Sequence, residues 1–349
     1  MPADRVREAF EIQRGHCARM GSPFTASLLA GLLDVLDPET ETGAAVLGWP
    51  GEPVADALAL RLAGALHALA RSGRDPKLTR AWSPAAEGDP LAAARAAIAR
   101  HDRFVRDWIR TPPQTNETGR AGALLGGALI LTAETGLPVE LWEIGASAGL
   151  NLGFDGYAYD LGQGRSWGRA DAPVRIPTEW RGDLPPLSAP LAVAARAACD
   201  VAPLDPADPA TRERLAAFVW ADQTARMARL LAALDDAASR PWLVDRSRAG
   251  DWLAARLAAP APAGRLRLLW HSIVWQYIPD PEKAEIRSAL EAAGARATAA
   301  TPLAWLRMER DATPGSAGLA LTLWPGGAER ALARTDFHGG WTDWAPRGA

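Results

Sequence analysis

A short apolar stretch followed by small residues is the part of this chain best suited to bind a small molecule. Residues 138–151 read PVELWEIGASAGLN, and the stretch from Val139 to Ile144 is long enough for a buried strand. The turn from Gly145 to Gly149 lets a backbone approach a ligand closely, and N–H groups at a following helix start would face that ligand. Two chemistries use such a turn, and both are open at this point.

One of these chemistries is nucleophilic hydrolysis. Residues 145–149 fit the pattern G-x-S-x-G, in which a tight strand-to-helix turn exposes a serine, here Ser147. Asp245 and either His271 or His338 follow in the chain order of a hydrolase triad. A hydrolase turn comes after several strands, however, whereas everything before residue 139 reads as helical. The hydrolase is therefore the weaker hypothesis, because a motif needs its structural context.

The other chemistry is cofactor binding at the first strand of a doubly wound sheet. Glu143 and the turn after it resemble the first motif of class I S-adenosylmethionine-dependent methyltransferases, in which an acid precedes a glycine-rich turn. Ser147 stands where the middle glycine is usual. An NAD-binding Rossmann domain fits less well, since its G-x-G-x-x-G spacing is absent. The resemblance implies S-adenosylmethionine as cofactor, and in this stretch it implies contacts from Glu143, Gly145, Ala146, Ser147, Gly149 and Asn151.

Acids after later strands would complete the same site. In the methyltransferases the acid of the second motif accepts hydrogen bonds from both ribose hydroxyls, and the matching residue here is Asp200. Its distance from the turn requires residues 157–190 to be an insertion, so Asp160 is a competing candidate. Asp245 matches the acid after the third strand, which in that family lies near adenine.

Over nearly its full length the chain resembles a bacterial family without an assigned function, domain of unknown function 2332. The resemblance implies a methyltransferase-like core and carries no established reaction. It rests on distinctive segments: residues 113–120 (PQTNETGR), 143–152, Cys199-Asp200, 203–205 (PLD), His271-Ser272, Tyr277 and 338–341 (HGGW).

Candidate substrate contacts lie around the start of the helix predicted over residues 116–134, and they are Gln114, Asn116, Glu117 and Arg120. One interpretation is capping, in which Asn116 accepts helix N–H groups and Glu117 favours the helix dipole. The other is a lid, in which Arg120 would bind a carboxylate through two hydrogen bonds. Capping explains neither Gln114 nor Arg120, so both interpretations stand.

His271 is the candidate catalytic residue. It follows a predicted strand over residues 266–270, at the carboxyl edge where ligands of open α/β sheets bind. A neutral imidazole at that edge could act as general base. Trp275 and Tyr277 could wall a substrate pocket, although packing explains them equally well, and His338 is a further substrate candidate.

The order of elements predicts an α/β fold. Residues before 137 read as helices, with starts at Ser22-Pro23 and Asp89-Pro90. After residue 139 strands and helices alternate, with one long helix from Asp208-Pro209, and the chain closes with antiparallel strands. This order predicts a doubly wound, mostly parallel sheet of the class I methyltransferase (Rossmann-like) type. We expect a helical cap region over residues 1–136 and a core over 137–349 with a β insertion at about 155–190.

The composition is that of a soluble globular protein, with 48% hydrophobic and 23% charged residues. A net charge of −3 gives no reason to expect nucleic acid or a membrane surface as partner. Residues 1–14 lack the apolar core of a signal peptide, and residues 121–133 are too short to span a bilayer. We therefore expect a cytoplasmic protein. Neither the two cysteines nor the histidines have metal-site spacing, which predicts no metal.

Together these features predict an S-adenosylmethionine-dependent methyltransferase that acts on a small molecule. Positioning of methyl donor and acceptor supplies much of the rate in such an enzyme, so a strong base is not required. The alternative is a non-catalytic ligand-binding or partner-binding protein that retains the fold. The serine hydrolase using Ser147 is the third hypothesis.

Overall fold

The computed structural model describes residues 2–83, 88–240 and 242–345 of the chain. Its α-helices are α1 Pro2–Arg19, α2 Pro23–Leu32, α3 Glu41–Leu47, α4 Leu58–Arg71, α5 Pro76–Ala81, α6 Pro90–Ile109, α7 Ala121–Thr135, α8 Pro209–Ala217, α9 Thr224–Ala238, α10 Ala249–Ala258 and α11 Asp280–Gly294. Its strands are β1 Val139–Ile144, β2 Ala158–Asp160, β3 Ser166–Trp167, β4 Arg175–Pro177, β5 Glu179–Gly182, β6 Val193–Asp200, β7 Val244–Arg246, β8 Leu266–Ser272, β9 Leu303–Arg310, β10 Ala317–Trp324, β11 Glu329–Thr335 and β12 Trp341–Trp344.

The chain divides into two compact units. The first comprises Met1–Thr115 with Asp208–Leu231, and its described elements are helices around a leucine- and alanine-rich core. The second comprises Asn116–Ala207 with Ala232–Ala349 and contains every strand listed above together with α7, α10 and α11. The boundaries of these units differ from the domain boundary expected at residue 136. The expected division into a cap region and a core stays a prediction.

A nine-stranded, mostly parallel sheet forms the centre of the second unit, in the order β5-β12-β11-β10-β9-β8-β1-β6-β7. The strands from β9 to β7 in this order run parallel, whereas β10, β11 and β12 follow β9 as antiparallel neighbours. The chain passes from β1 through β6 to β7 on one side and returns to β8 on the other. The carboxyl ends of β1 and β8 therefore flank the point at which the strand order reverses, where open α/β sheets bind ligands.

Several sequence-based expectations about the elements are confirmed and others need correction. The first strand is β1 with the bounds expected, and the closing antiparallel strands are present. The strand expected over 266–270 continues through Ser272, so His271 lies within β8. The long helix expected from Asp208-Pro209 is two helices, α8 and α9, and the turn after β1 leads into a 3₁₀ helix, Leu150–Gly156.

The helix starts also differ in their capping. Asp89 caps α6 by accepting the Leu91 N–H at 2.9 Å, as its position before a proline suggests. The Ser22 hydroxyl instead donates to Asp222, and α2 has no side-chain cap. A short 3₁₀ helix, Thr118–Arg120, precedes α7, and its cap is Glu117 rather than Asn116.

Glycines on α7 allow the helix to pack closely on the sheet. A Cβ atom at Gly126 would lie 2.7 Å from the Trp180 ring and 2.6 Å from the Trp344 ring, and both rings are buried. Gly127 meets the Leu306 side chain in the same way. In the part of the chain that the structure describes, no helix is both long and apolar enough to cross a membrane.

We predict that Gly126→Ala lowers the free energy of unfolding by about 1–3 kcal/mol, because the added methyl group overpacks two buried indoles. Urea denaturation measures the effect. The control is Ala133→Gly on the exposed face of the same helix, which should cost about 1 kcal/mol through helix propensity alone. If propensity dominated at residue 126, the alanine variant would be more stable than the wild type, and the packing explanation would be wrong.

Candidate functional site

Alternation of side chains along the strands sorts the candidate residues onto two faces of the sheet. Glu143 of β1 is in register with Trp270 of β8 and with Ala198 of β6, so these side chains share one face. Leu306, which pairs with Trp270 and meets α7, shows that this face is the one that α7 covers. His271 is the next residue of β8 and therefore points to the opposite face.

The turn after β1 has a left-handed backbone at alternate residues. Gly145 has φ +68°, Ser147 has φ +56° and Gly149 has φ +70°. A side chain at Gly145 would clash with Val274. Ser147 thus occupies a conformation that a residue with a Cβ atom adopts only at a cost, which explains why glycine is usual there.

The N–H groups of this turn are already bonded inside the protein, contrary to the expectation that they face a ligand. Asn116 Oδ1 accepts from Ala148 N at 3.2 Å and from Leu150 N at 2.9 Å. The other N–H groups of residues 146–149 donate to the Cys199 carbonyl, the Asp200 carboxylate and the Ala146 carbonyl. Asn116 therefore holds the turn, and the substrate contact predicted for it stays a prediction.

Arg120 ties together the loops around the turn. Its Nε donates to the Phe337 carbonyl at 3.0 Å, and its Nη1 donates to the Ser272 carbonyl at 3.2 Å. The backbone at His338 also lies directly against Gly119, where an added Cβ atom would clash. These contacts indicate that Arg120 positions the 336–340 loop beside the end of β8. The carboxylate contact expected for Arg120 stays a prediction.

Glu117, Gln114 and His338 are the remaining candidate substrate contacts near the turn. Glu117 is buried, and its Oε1 accepts the Gly119 N–H at 3.0 Å. Burial raises the pKa of Asp336, which accepts the N–H groups of His338 and Gly340 and lies near Glu117. Gln114 belongs to the other compact unit, so its substrate role stays a prediction, as does that of the His338 ring.

Four buried polar atoms around the turn make no hydrogen bond of ordinary geometry to a described residue. They are Glu143 Oε2, Ser147 Oγ, Asn151 Oδ1 and Trp270 Nε1. Trp270 and Asn151 are close enough to Glu143 to lower its pKa, so these side chains pair only imperfectly with one another. Buried polar groups normally have well-formed hydrogen bonds, so a cluster that lacks them is unusual for a site without a ligand. This unpartnered cluster is the strongest indication of a binding site in the second unit.

Glu143 is the acid at the centre of the unpartnered cluster. Burial raises its pKa to about 8, and the negative charge of Asp200 adds to the shift. The side chains of Trp270 and Asn151, together with the positive charge of Arg120, oppose it. Glu143 is therefore largely protonated at neutral pH, and a cation bound beside it would favour its ionised form.

The other candidate acids differ in where they lie. Asp200 is bonded to the turn, since its Oδ2 accepts the Ser147 N–H at 2.8 Å. Asp160 is exposed in the separate sheet formed by β2, β3 and β4. Asp245 is in register with Cys199, on the face opposite Glu143, and its carboxylate accepts Trp252 Nε1 of α10 at 2.7 Å. Asp200 is thus the acid placed beside the turn, and Asp245 stabilises the contact with α10.

The geometry of His271 does not fit the general base expected from its position. The ring is fully buried, and Trp305 Nε1 donates to its Nε2 at 3.0 Å. Its Nδ1 therefore carries the proton and lies 2.6 Å from Glu309 Oε1. Both ring nitrogens are used inside the protein, on the face away from Glu143, so His271 is a structural residue.

The aromatic residues after β8 differ in their contacts. Trp275 stacks on His271 with a centroid distance of 5.2 Å, and the Arg287 guanidinium lies 5.2 Å from its ring centroid. Tyr277 is 73% exposed, and its contact with a substrate stays a prediction. The described residues contain no group of three histidine, cysteine or acidic side chains that could hold a metal ion.

A family model described as "Uncharacterized protein conserved in bacteria (DUF2332)" matches residues 7–344. The chain belongs to this family. No curated protein matches the chain, and no solved structure does. Membership assigns no reaction to the chain.

The hydrolase arrangement is not assembled in this family member. Ser147 Oγ has no hydrogen-bond partner among the described residues, and the two ring nitrogens of His271 are bonded to Glu309 and Trp305. A nucleophilic serine needs a base within hydrogen-bond reach. The serine is instead one of the unpartnered atoms.

Sequence reasoning missed Trp270 as a member of the site. The position of Trp270 in the sequence could have indicated this role, because it directly precedes His271 near the end of a predicted buried strand. Side chains alternate along that strand, so Trp270 and His271 lie on opposite faces of the sheet. Only the register with β1 shows that Trp270 shares the face of Glu143.

We predict that Asn116→Ala lowers the free energy of unfolding by about 2–4 kcal/mol, because it leaves the buried N–H groups of Ala148 and Leu150 without an acceptor. Chemical denaturation measures this. Asn151→Ala is the matched comparison, since it removes an amide whose Oδ1 accepts no backbone N–H, and we expect a smaller loss of stability. Equal losses in the two variants would contradict the assigned roles.

Glu143 makes stability depend on pH. Its pKa is about 8 in the folded chain against 4.5 for the ordinary side chain, so the folded state binds more protons between these values. The free energy of unfolding should then fall as pH rises through this window, by at most about 1.4 kcal/mol per pH unit, and level off above pH 8.

The variant Glu143→Gln removes this contribution and keeps the shape of the side chain. We expect the stability difference between Glu143→Gln and wild type to be small near pH 4.5 and to favour the variant increasingly up to pH 8. Denaturation curves at several pH values test this. Parallel pH profiles for the two proteins would show that Glu143 is ionised in the folded chain.

Proposed function

We propose that this protein binds S-adenosylmethionine at the turn after β1 and transfers its methyl group to a small molecule. One observation carries the proposal, which is the unpartnered cluster around a buried acid at the end of β1. Ligands of open α/β sheets bind where the strand order reverses, and β1 is that strand. A ligand with both cationic and polar groups would give these atoms the partners they lack.

The residues present fit this cofactor. Glu143 is a buried acid suited to an ammonium group, and Ser147 Oγ and Trp270 Nε1 are donors suited to a carboxylate. Each carboxylate oxygen of Asp200 accepts one backbone N–H and keeps a lone pair for a ribose hydroxyl. When bound, the cofactor would supply an electrophilic methyl group.

The strand arrangement also supports the proposal. Five parallel strands are followed by an antiparallel neighbour of β9, which resembles the antiparallel closing strand of class I methyltransferases. With His271 buried in packing, the chain's contribution to the reaction is to bind and orient donor and acceptor. Such positioning removes much of the entropic barrier to transfer without a base.

A second candidate function is ligand binding without transfer. The satisfied N–H groups of the turn and the serine at a glycine conformation favour it, since both limit how closely a cofactor approaches the backbone. This alternative uses the same unpartnered cluster. It differs in that no acceptor would be methylated.

Calorimetry with S-adenosylmethionine and with its demethylated product tests the proposal. We expect saturable binding that Glu143→Gln weakens about 10- to 100-fold, as for loss of a charge-assisted hydrogen bond. Asp200→Asn should also weaken binding, and Asp160→Asn, at an exposed acid of the other sheet, is the matched control. Absence of binding at millimolar ligand would overturn the proposal, and binding without methyl transfer to any small acceptor would favour the second candidate.

A further inference from the structure

A cavity of about 300 Å³ lies at the other end of the sheet from the turn, within the second unit. Its lining includes Arg267 and Leu303, at the starts of β8 and β9, so it opens at the amino edge of these parallel strands. The ends of α10 and α11 and the segment 259–261 form the rest of its wall. We call it the amino-edge cavity.

Arg267 is a buried cation in the wall of the amino-edge cavity. Its side chain is 6% exposed, and Nη2 donates to the Ala259 carbonyl at 3.0 Å. Its Nε has no hydrogen-bond partner, although a guanidinium offers five N–H donors. Most of the hydrogen-bonding capacity of this cation is thus unused in the described structure.

The acid nearest to it in the sheet does not neutralise Arg267 directly. Glu140 is its partner in register on β1, and Glu140 Oε1 accepts Trp142 Nε1 at 3.1 Å. Among the described residues no ion pair joins Glu140 to Arg267. The guanidinium instead lies 5.4 Å from the centroid of the Trp142 ring, a cation–π contact.

A second arginine stands at the rim of the amino-edge cavity. Arg296 is exposed and donates through Nη1 to the Ala292 carbonyl near the end of α11 at 2.8 Å. Arg267 likewise bonds the carbonyl that follows α10. The two arginines thus offset the negative ends of these two helices and leave further donors for an anion.

Aliphatic side chains make up much of the rest of the wall, with Leu257 and Leu303 buried at its floor. Leu257, Leu303 and Pro260 stand beside alanines, with Thr301 among the few polar side chains. A site with cationic and apolar walls matches a molecule with one anionic group and a hydrocarbon body. Inorganic phosphate has no hydrocarbon body to place against the aliphatic side chains, so we expect it to bind more weakly than such a molecule.

We propose that the amino-edge cavity binds a small organic monocarboxylate, with the carboxylate on Arg267 and the hydrocarbon body against Leu257 and Leu303. A guanidinium binds a carboxylate through two parallel hydrogen bonds, which gives both affinity and orientation. This site is separate from the unpartnered cluster, and the proposal does not depend on methyl transfer.

The test is calorimetric titration of the full chain with octanoate, octanol and inorganic phosphate. We expect saturable binding of octanoate, with octanol and phosphate each at least tenfold weaker. Arg267→Gln should weaken octanoate at least tenfold, whereas Arg265→Gln, an equal loss of charge at an exposed residue outside the cavity wall, should not.

A second variant keeps the test independent of the buried arginine. Ala261→Trp fills the cavity from an exposed position, so we expect it to fold and to abolish octanoate binding. Equal binding of octanol and octanoate, binding of phosphate in preference to octanoate, or no binding of octanoate would each overturn the proposal. Unchanged octanoate affinity in Ala261→Trp would do the same.

Discussion

The hydrogen bonds that hold the turn after β1 are the constraint on which the site depends. One amide side chain, Asn116, accepts two N–H groups from the far side of the turn, and Asp200 accepts a third from the near side. The turn is thereby fixed between the segment before α7 and the end of β6. Its left-handed residues, including Ser147, are retained because these bonds determine the path of the backbone.

Because of this constraint, a ligand at the turn would be recognised by side chains and not by backbone N–H groups. A turn whose N–H groups are all bonded cannot cradle an anion as a phosphate-binding loop does. The atoms left without partners are instead on the side chains of Glu143, Ser147, Asn151 and Trp270. Their unsatisfied state lowers stability in the free protein, and a ligand that pairs with them would recover that free energy on binding.

The sequence predicted what depends on local patterns and missed what depends on distant contacts. The apolar stretch of β1 and the small residues after it were sufficient to locate the strand, the turn and the buried acid. The partners of His271, Glu309 and Trp305, lie more than thirty residues away on another strand, so no local pattern reveals that both ring nitrogens are bonded. Capping predictions failed similarly at Ser22 and Asn116, whose side chains bond to residues that no local pattern reveals.

The pair formed by β1 and β8 concentrates unsatisfied polar groups at both of its ends. Glu143 and Trp270 are in register at the carboxyl end, and Glu140 and Arg267 are in register three residues earlier, at the amino end. Because side chains alternate along a strand, an offset of three residues puts the two pairs on opposite faces. A central parallel strand is normally apolar on both faces, so polar residues at these positions are costly for folding alone. A ligand at each end would offset that cost. The apolar residues between the two ends separate the two proposed sites.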